Sequence, residues 1–232
     1  MPQLSGKTAL VTDAARGVGR LIAVTLAQEG AQVLAHCAAG AADAQATVDE
    51  IRAAGGKAQP LSANLREADG VHRLARRVRS VVGARLDILV MGAGCLEAAP
   101  DETRAPADFD DSITAHVRAP WLLVQQLLPA MCKGSSVVLL LPHEVSGTAG
   151  TLTVLAAHRG ALTALVRHFA AECGARGIRV NGLTPGEPAG DVARAVTFLA
   201  SDAARAITGA SLNPESRSAS ANGFPTGFPL PI

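Results

Sequence analysis

The stretch that most constrains the fold of this chain lies near its start: Leu10-Val11-Thr12-Asp13-Ala14-Ala15-Arg16-Gly17-Val18-Gly19. It ends a short apolar run at 8–11 and precedes Leu21, Ile22, Val24 and Leu26, which repeat as one face of a helix does. Strand, glycine turn and helix in that order aim backbone N–H groups and the positive end of a helix at one point, where an anionic phosphate is stabilised. Gly17 and Gly19 carry no Cβ, so a pyrophosphate can approach the backbone and the helix can pack on the strand. A glycine pair alone is a weak signal; its place after a strand and at a helix start strengthens it.

Strand and helix patterns alternate through the rest of the sequence. Strands are expected at 8–11, 31–35, 57–61, 86–90, 135–141 and 177–181, and helices at 17–29, 41–54, 66–82, 108–131 and 151–173. Such alternation predicts an α/β fold, a doubly wound parallel sheet with helices on both faces. One domain spans 1–210. The segment 211–232 is rich in Ser, Pro and Gly without a period, and reads as a flexible tail or as a strap lying ordered on this subunit or a partner.

With 48% hydrophobic residues and a formal charge of +1, the sequence suits a globular protein with a large core. A nucleic-acid or membrane-surface binder would need a basic excess that is missing. Charge or glycine breaks each apolar run short of a membrane span, and residues 1–7 lack an apolar signal region, so a cytoplasmic protein is expected. Cys37, Cys95, Cys132 and Cys173 have no metal-type spacing and read as buried thiols. No metal site is expected. The helix at 66–82 carries Arg73, Arg76, Arg77 and Arg79, read as a solvated face.

The opening motif resembles the T-G-x-x-x-G-x-G turn of the short-chain dehydrogenase/reductase family. Thr12, Arg16, Gly17, Val18 and Gly19 fit, while Asp13 stands where the family has its first glycine. Asp13 reads either as a turn residue tolerating a left-handed backbone or as a carboxylate set against the cofactor phosphates. The second reading is preferred, because Asp tolerates that backbone less well than Gly, and it implies weakened or lost binding. The resemblance covers about 5–210 and implies a Rossmann-type, three-layer αβα fold. Met91-Gly92-Ala93-Gly94 is similar to the family's N-N-A-G turn, with Ala93 and Gly94 matching. Asn64 stands where the family has an acid near the adenine, or else acts as a helix N-cap. Gly174 to Asn181 and Thr184-Pro185-Gly186 are similar to the segments beside the nicotinamide, so Pro185 and Gly186 join the implied cofactor site. His36-Cys37-Ala38 lacks the acid that holds the ribose of NAD, and Arg16 sits where NADP-preferring members often carry a basic residue, or else is a solvated arginine at a turn. Any cofactor is therefore expected to be NADP(H).

The family's tyrosine, lysine, serine and asparagine fall on Leu155, Arg159, Pro142 and His116, and the sequence contains no tyrosine. Leucine has no exchangeable proton. Arginine can hold a ribose or phosphate but cannot shuttle a proton at neutral pH. His143 and Glu144 follow Pro142 directly at the mouth of a strand, and His116 is expected on the facing helix. Histidine and glutamate make an acid–base pair near neutrality, or, on the alternative reading, polar residues of an exposed loop and a packed helix histidine. His158 is expected to face solvent or a subunit contact. After Gly186 the helical cover that the family places over its substrate is essentially deleted, and the last strand is expected to be missing.

Three functions are compatible with these residues. The preferred one is non-redox acid–base chemistry (dehydration, isomerisation or cyclisation) on a small carbonyl-bearing or polyketide-like molecule through His143, Glu144 and His116. The others are a non-catalytic partner subunit of an active relative, and an NADP(H)-dependent oxidoreductase with an unusual proton donor. The resemblance also implies a homodimer or homotetramer through the helices 108–131 and 151–173, with Leu122, Leu123, Leu127, Leu162 and Leu165 at the contact.

Overall fold

A computed structural model describes residues 2–38, 41–92, 106–142, 152–186 and 188–213. Its centre is a seven-stranded parallel sheet: β1 (Thr8–Val11), β2 (Gln32–Cys37), β3 (Lys57–Ser62), β4 (Ile88–Met91), β5 (Ser136–Leu140), β6 (Arg179–Leu183) and β7 (Ser211–Leu212), ordered β3-β2-β1-β4-β5-β6-β7. The helices are α1 (Gly17–Gln28), α2 (Ala41–Ala53), α3 (Gly70–Val82), α4 (Pro106–Ile113), α5 (Ala119–Leu127), α6 (Leu152–Gly174) and α7 (Ala189–Ala200). Alternate strand residues feed two cores. Leu10, Leu34, Leu89 and Val137 pack with α3, α5 and α6. Val11, Val33, Val90 and Val138 pack with α1, α2 and α7. Helices on both faces explain why these strands are continuously apolar rather than alternating.

The winding reverses between β1 and β4, which pair in register Val11 to Val90. In an open parallel sheet the crevice outside the carboxyl ends of the strands at such a switch is where ligands bind. The glycine turn occupies it. Thr12 N donates to Val90 O at 3.0 Å, and Gly92 N donates to Thr12 Oγ1 at 3.1 Å, so the buried threonine ties the turn to the end of β4. Gly92 sits at φ +86°, where an added Cβ would come within 3.0 Å of the Leu140 carbonyl. The close approach of β4 and β5 therefore requires glycine there.

Several expectations need correction. The long helix expected at 108–131 is interrupted by a π-helical segment, Thr114–Arg118, and ends in a 3-10 turn, Leu128–Ala130. Pro120 gives the cause. It has no N–H for the carbonyl four residues back, that of His116, and its ring crowds that carbonyl. The helix widens instead, with Ala119 N donating to Thr114 O five residues back. The helix expected from residue 66 begins at Gly70, because Asn64 Oδ1 accepts from Arg66 N at 3.1 Å and Asn64 O from Glu67 N at 3.2 Å, closing a separate turn. The last strand, expected to be missing, survives as the two-residue β7. Asn181 leads it in: its side chain donates to Ile207 O at 2.9 Å and accepts from Ala210 N at 3.1 Å. The sheet thus reaches into the segment expected to be a tail. Leu123, Leu127 and Leu162, expected at a subunit contact, lie in this subunit's own core, and Cys132 is exposed rather than buried. Among the described residues no helix is long and apolar enough to cross a membrane.

Candidate functional site

The first rim of the crevice is the turn between β1 and α1. Asp13 adopts φ +53°, the left-handed conformation its turn demands. Gly17 follows at φ +55°, with nothing within 4 Å of the place a Cβ would take. The turn is pinned from outside: Ala14 N donates to His36 O at 2.8 Å, and buried Thr47 donates its hydroxyl to Ala14 O at 2.8 Å. Arg16 precedes α1 with extended backbone and offers no side-chain cap to the first-turn amides, and no acidic residue lies in that turn. Those amides and the open space at Gly17 fit an external phosphate. Arg16 is exposed, Val18 half-buried and Gly19 buried.

His36, fully buried near the end of β2, makes a 2.9 Å hydrogen bond from Nε2 to the Ala63 carbonyl, while its Nδ1 is buried without a partner among the described residues. Burial pushes the imidazole below its ordinary value; the Ala63 carbonyl and the Asp13 carboxylate oppose that shift. β2 extends to Cys37, beyond the expected end at Ala35, and so brings His36 into the sheet.

The second rim lies at the ends of β5 and β6. Arg159 on α6 donates from one guanidinium nitrogen to the Pro142 carbonyl after β5 and, at 3.0 Å, to Thr184 Oγ1 after β6. This places the arginine across the crevice mouth, next to Pro185 and Gly186. Leu155 is half-buried one helical turn earlier. The chain runs from Leu183 to Ala189 with only residues 184–188 between, so no helical layer intervenes between β6 and α7.

Beside Arg159, His158 is fully buried, against the expectation of a residue facing solvent or a subunit contact. Its helix face explains the burial. Leu162, Val166 and Phe169 follow at spacings of four, eight and eleven and are all core residues. That apolar stripe was legible in the sequence and would have placed His158 inward. Its ring stacks, tilted by 46°, on that of His116 at a centroid distance of 5.5 Å. His116 is half-buried on the π segment. The structure therefore brings together His116, His158, Arg159, Pro142 and Thr184. His143, Glu144, Ala93 and Gly94 lie outside the described residues. Asn64 is held by its own turn rather than capping a helix. Among the described residues no group of three or more His, Cys, Asp or Glu side chains could hold a metal ion.

Comparison with known proteins agrees with this architecture. The family profile for short chain dehydrogenase matches residues 7–197. A curated relative, the 3-oxoacyl-(acyl-carrier-protein) reductase FabG of Staphylococcus aureus, is 30% identical, with 89% of this chain and 96% of that protein covered. Among solved structures, the promiscuous reductase LugOII, which catalyses keto-reduction at C1 during lugdunomycin biosynthesis, superposes with a TM-score of 0.85 at 34% identity, covering 92% of this chain and 97% of the other. The landomycin C-6 ketoreductase LanV with bound NADP and rabelomycin gives 0.84 at 33% identity, covering 91% and 95%. With its profile match, its parallel sheet and its glycine turn at the switch point, the chain belongs to the short-chain dehydrogenase family.

Proposed function

We propose that this chain is an NADP(H)-dependent ketone reductase acting on a polyketide-like carbonyl compound, with a proton donor other than tyrosine. The observation that carries this reading is the first rim. Despite Asp13, the turn keeps its left-handed geometry, its uncapped α1 amides and the open space at Gly17, all of which a dinucleotide phosphate would use. LanV is a ketoreductase with bound NADP, and FabG and LugOII also reduce ketones by name. A bound reduced nicotinamide supplies a hydride. Arg159 reaches the strand ends where a cofactor ribose would lie, and only residues 184–188 separate β6 from α7 there.

Non-redox chemistry through His143 and Glu144, preferred from the sequence, draws no support from these relatives, nor does a partner-subunit role. Both become outcomes of one experiment. Calorimetric titration with NADPH and NADH comes first, followed by NADPH consumption with α-tetralone, a bicyclic aryl ketone. Micromolar NADPH binding and measurable consumption support the reductase. No binding at millimolar cofactor eliminates hydride transfer and leaves the other two readings. A homodimer or homotetramer through α5 and α6 belongs to the same proposal. Trp121 is 40% exposed, and Leu122 and Leu165 are half-buried, so these carry the contact. Light scattering that shows only monomer would remove it.

A further inference from the structure

The unusual feature of the second rim is a pair of imidazoles in contact, one of them next to Arg159 along α6. His158 is fully buried on α6, and His116, half-buried on the π segment, covers it at 5.5 Å between ring centroids. The next residue, Arg159, reaches the carbonyl after β5 and the hydroxyl after β6 at the carboxyl ends of the sheet. The buried ring thus has the outer ring on one side and, one residue along α6, the arginine that reaches the strand ends. The widened turn that presents His116 follows from Pro120, and such π segments are frequent at functional sites.

We infer that His116 and His158 together store one exchangeable proton, and that His116 delivers it to the substrate oxygen. This inference rests on the reductase reading above. Charge decides the number of protons. Two imidazolium rings in contact, with the permanent charge of Arg159 adjacent, repel one another, so the second proton is excluded. Among the described residues, the charged groups nearest the pair along its own elements are these. Arg159 adjoins it on α6 and Arg118 ends the π segment; Asp110 and Asp111 on α4 are exposed. Met91, Leu141 and Pro142, at the ends of β4 and β5, do not titrate. Burial places the proton on the outer ring, because the charged form is least costly where water still reaches.

The chemistry balances. A hydride from the reduced nicotinamide forms the new C–H bond at the carbonyl carbon while the C=O π pair moves to oxygen. The His116 N–H bond breaks as the O–H bond forms, giving an alcohol, an oxidised nicotinamide and a neutral imidazole. Solvent returns the proton to the outer ring. Imidazole suits this work because its ordinary titration lies near neutrality.

The test uses the full chain. In ¹⁵N-histidine spectra of the cofactor-free protein between pH 5 and 8, the two rings should gain one proton between them. Two independent, complete titrations would overturn the pair. His116→Asn should bind NADPH as the wild type does and lose about a hundredfold in α-tetralone reduction, together with the fall of rate at high pH. His116→Gln provides the same reading should the asparagine variant not fold. Unchanged rate and pH profile in either variant would show that the proton comes from elsewhere. His158→Gln should move the His116 titration; an unmoved curve overturns the coupling. A wild type that binds no NADPH, or binds it and reduces no ketone, defeats the reductase reading itself, whereas NADPH-consuming variants at full rate defeat only the pair.

Discussion

The two rims of the crevice have diverged in opposite ways. At the first, between β1 and α1, the resemblance puts Asp13 where the family has a glycine, and Asp13 takes the left-handed φ of +53°, its turn held by Ala14 N on His36 O and Thr47 on Ala14 O. At the second, the resemblance puts Pro142, Leu155 and Arg159 where the family carries the side chains that do its proton chemistry. Arg159 spans β5 and β6, Leu155 offers no proton, and the two histidines meet behind them. A cofactor turn works through backbone amides, so it survives a change of side chain that preserves φ. Proton transfer works through side chains, so it survives only if other side chains take it over.

The sharpest way to break this contrast is to restore the second rim. The triple variant Pro142→Ser, Leu155→Tyr, Arg159→Lys returns a hydroxyl, a phenol and an ammonium to a backbone of the family's form. If only side-chain chemistry was lost, the triple variant made in the His116→Asn background should consume NADPH with α-tetralone about a hundredfold faster than His116→Asn alone, the worth of one positioned general acid. NADPH affinity measured by calorimetry should stay within the wild-type range. A flat rate with intact binding would show that the rim's backbone has moved as well.

A smaller effect is expected from Arg159→Ala. It removes the donor shared by the Pro142 carbonyl and Thr184 Oγ1. Hydrogen bonds to a charged group contribute about 1.5–3 kcal/mol, so thermal unfolding should come about 3–12 °C earlier, at about 2–4 °C per kcal/mol for a domain of this size. Arg159→Lys should recover part of that loss, because an ammonium can reach one acceptor but lacks the planar fork. An unchanged melting temperature in the alanine variant would show that the rim is held by its strands alone.

How far these rims could be read from residues differs for the same physical reason. The parallel sheet, the helices on both faces and the phosphate turn follow from periodicity and from glycine, which act over neighbouring residues. The π segment was equally local, since Pro120 marks it, but the apolar period around it continues unbroken and hides the widening. The fate of His158 depended on which stripe of α6 faces the sheet. The stripe through Leu162 and Phe169 answers that, against the expectation that His158 faces solvent or a subunit contact. The contact with His116 was not legible, because the two residues meet only when α6 packs on the π segment. β7 escaped for the opposite reason. Two residues carry no period, and the strand exists because Asn181 and the edge of β6 provide partners for it.

At the first rim, Asp13→Gly should relieve the left-handed strain of a side chain there, about 1 kcal/mol, and raise the melting temperature by about 2–4 °C. NADPH should bind more tightly, as a carboxylate leaves the neighbourhood of its phosphates. Asp13→Ala separates the two contributions. It keeps the strain and removes the charge, so tighter NADPH binding without a gain in stability is the expected result. If the alanine variant binds no better than the wild type, like-charge repulsion plays no part at this turn.

The smallest effect concerns the ring beneath that turn. Burial lowers the affinity of His36 for a proton in the folded protein, and the nearby Asp13 only partly opposes this. The unfolded chain, whose histidine has an ordinary pKa of about 6.5, therefore takes up the proton first as pH falls. Stability associated with the neutral ring is complete above that value and is lost progressively below it. The melting temperature should fall between pH 7 and 5.5, a range above the titration of most carboxylates. His36→Gln keeps an N–H for the Ala63 carbonyl and cannot titrate, so its melting temperature should fall less over the same interval. Asp13→Gly should steepen the wild-type fall, because the carboxylate that favours the charged ring is gone. Equal slopes in all three proteins would mean that the ring exchanges protons as freely folded as unfolded, and that the first rim rests on hydrogen bonds with no electrostatic share from Asp13.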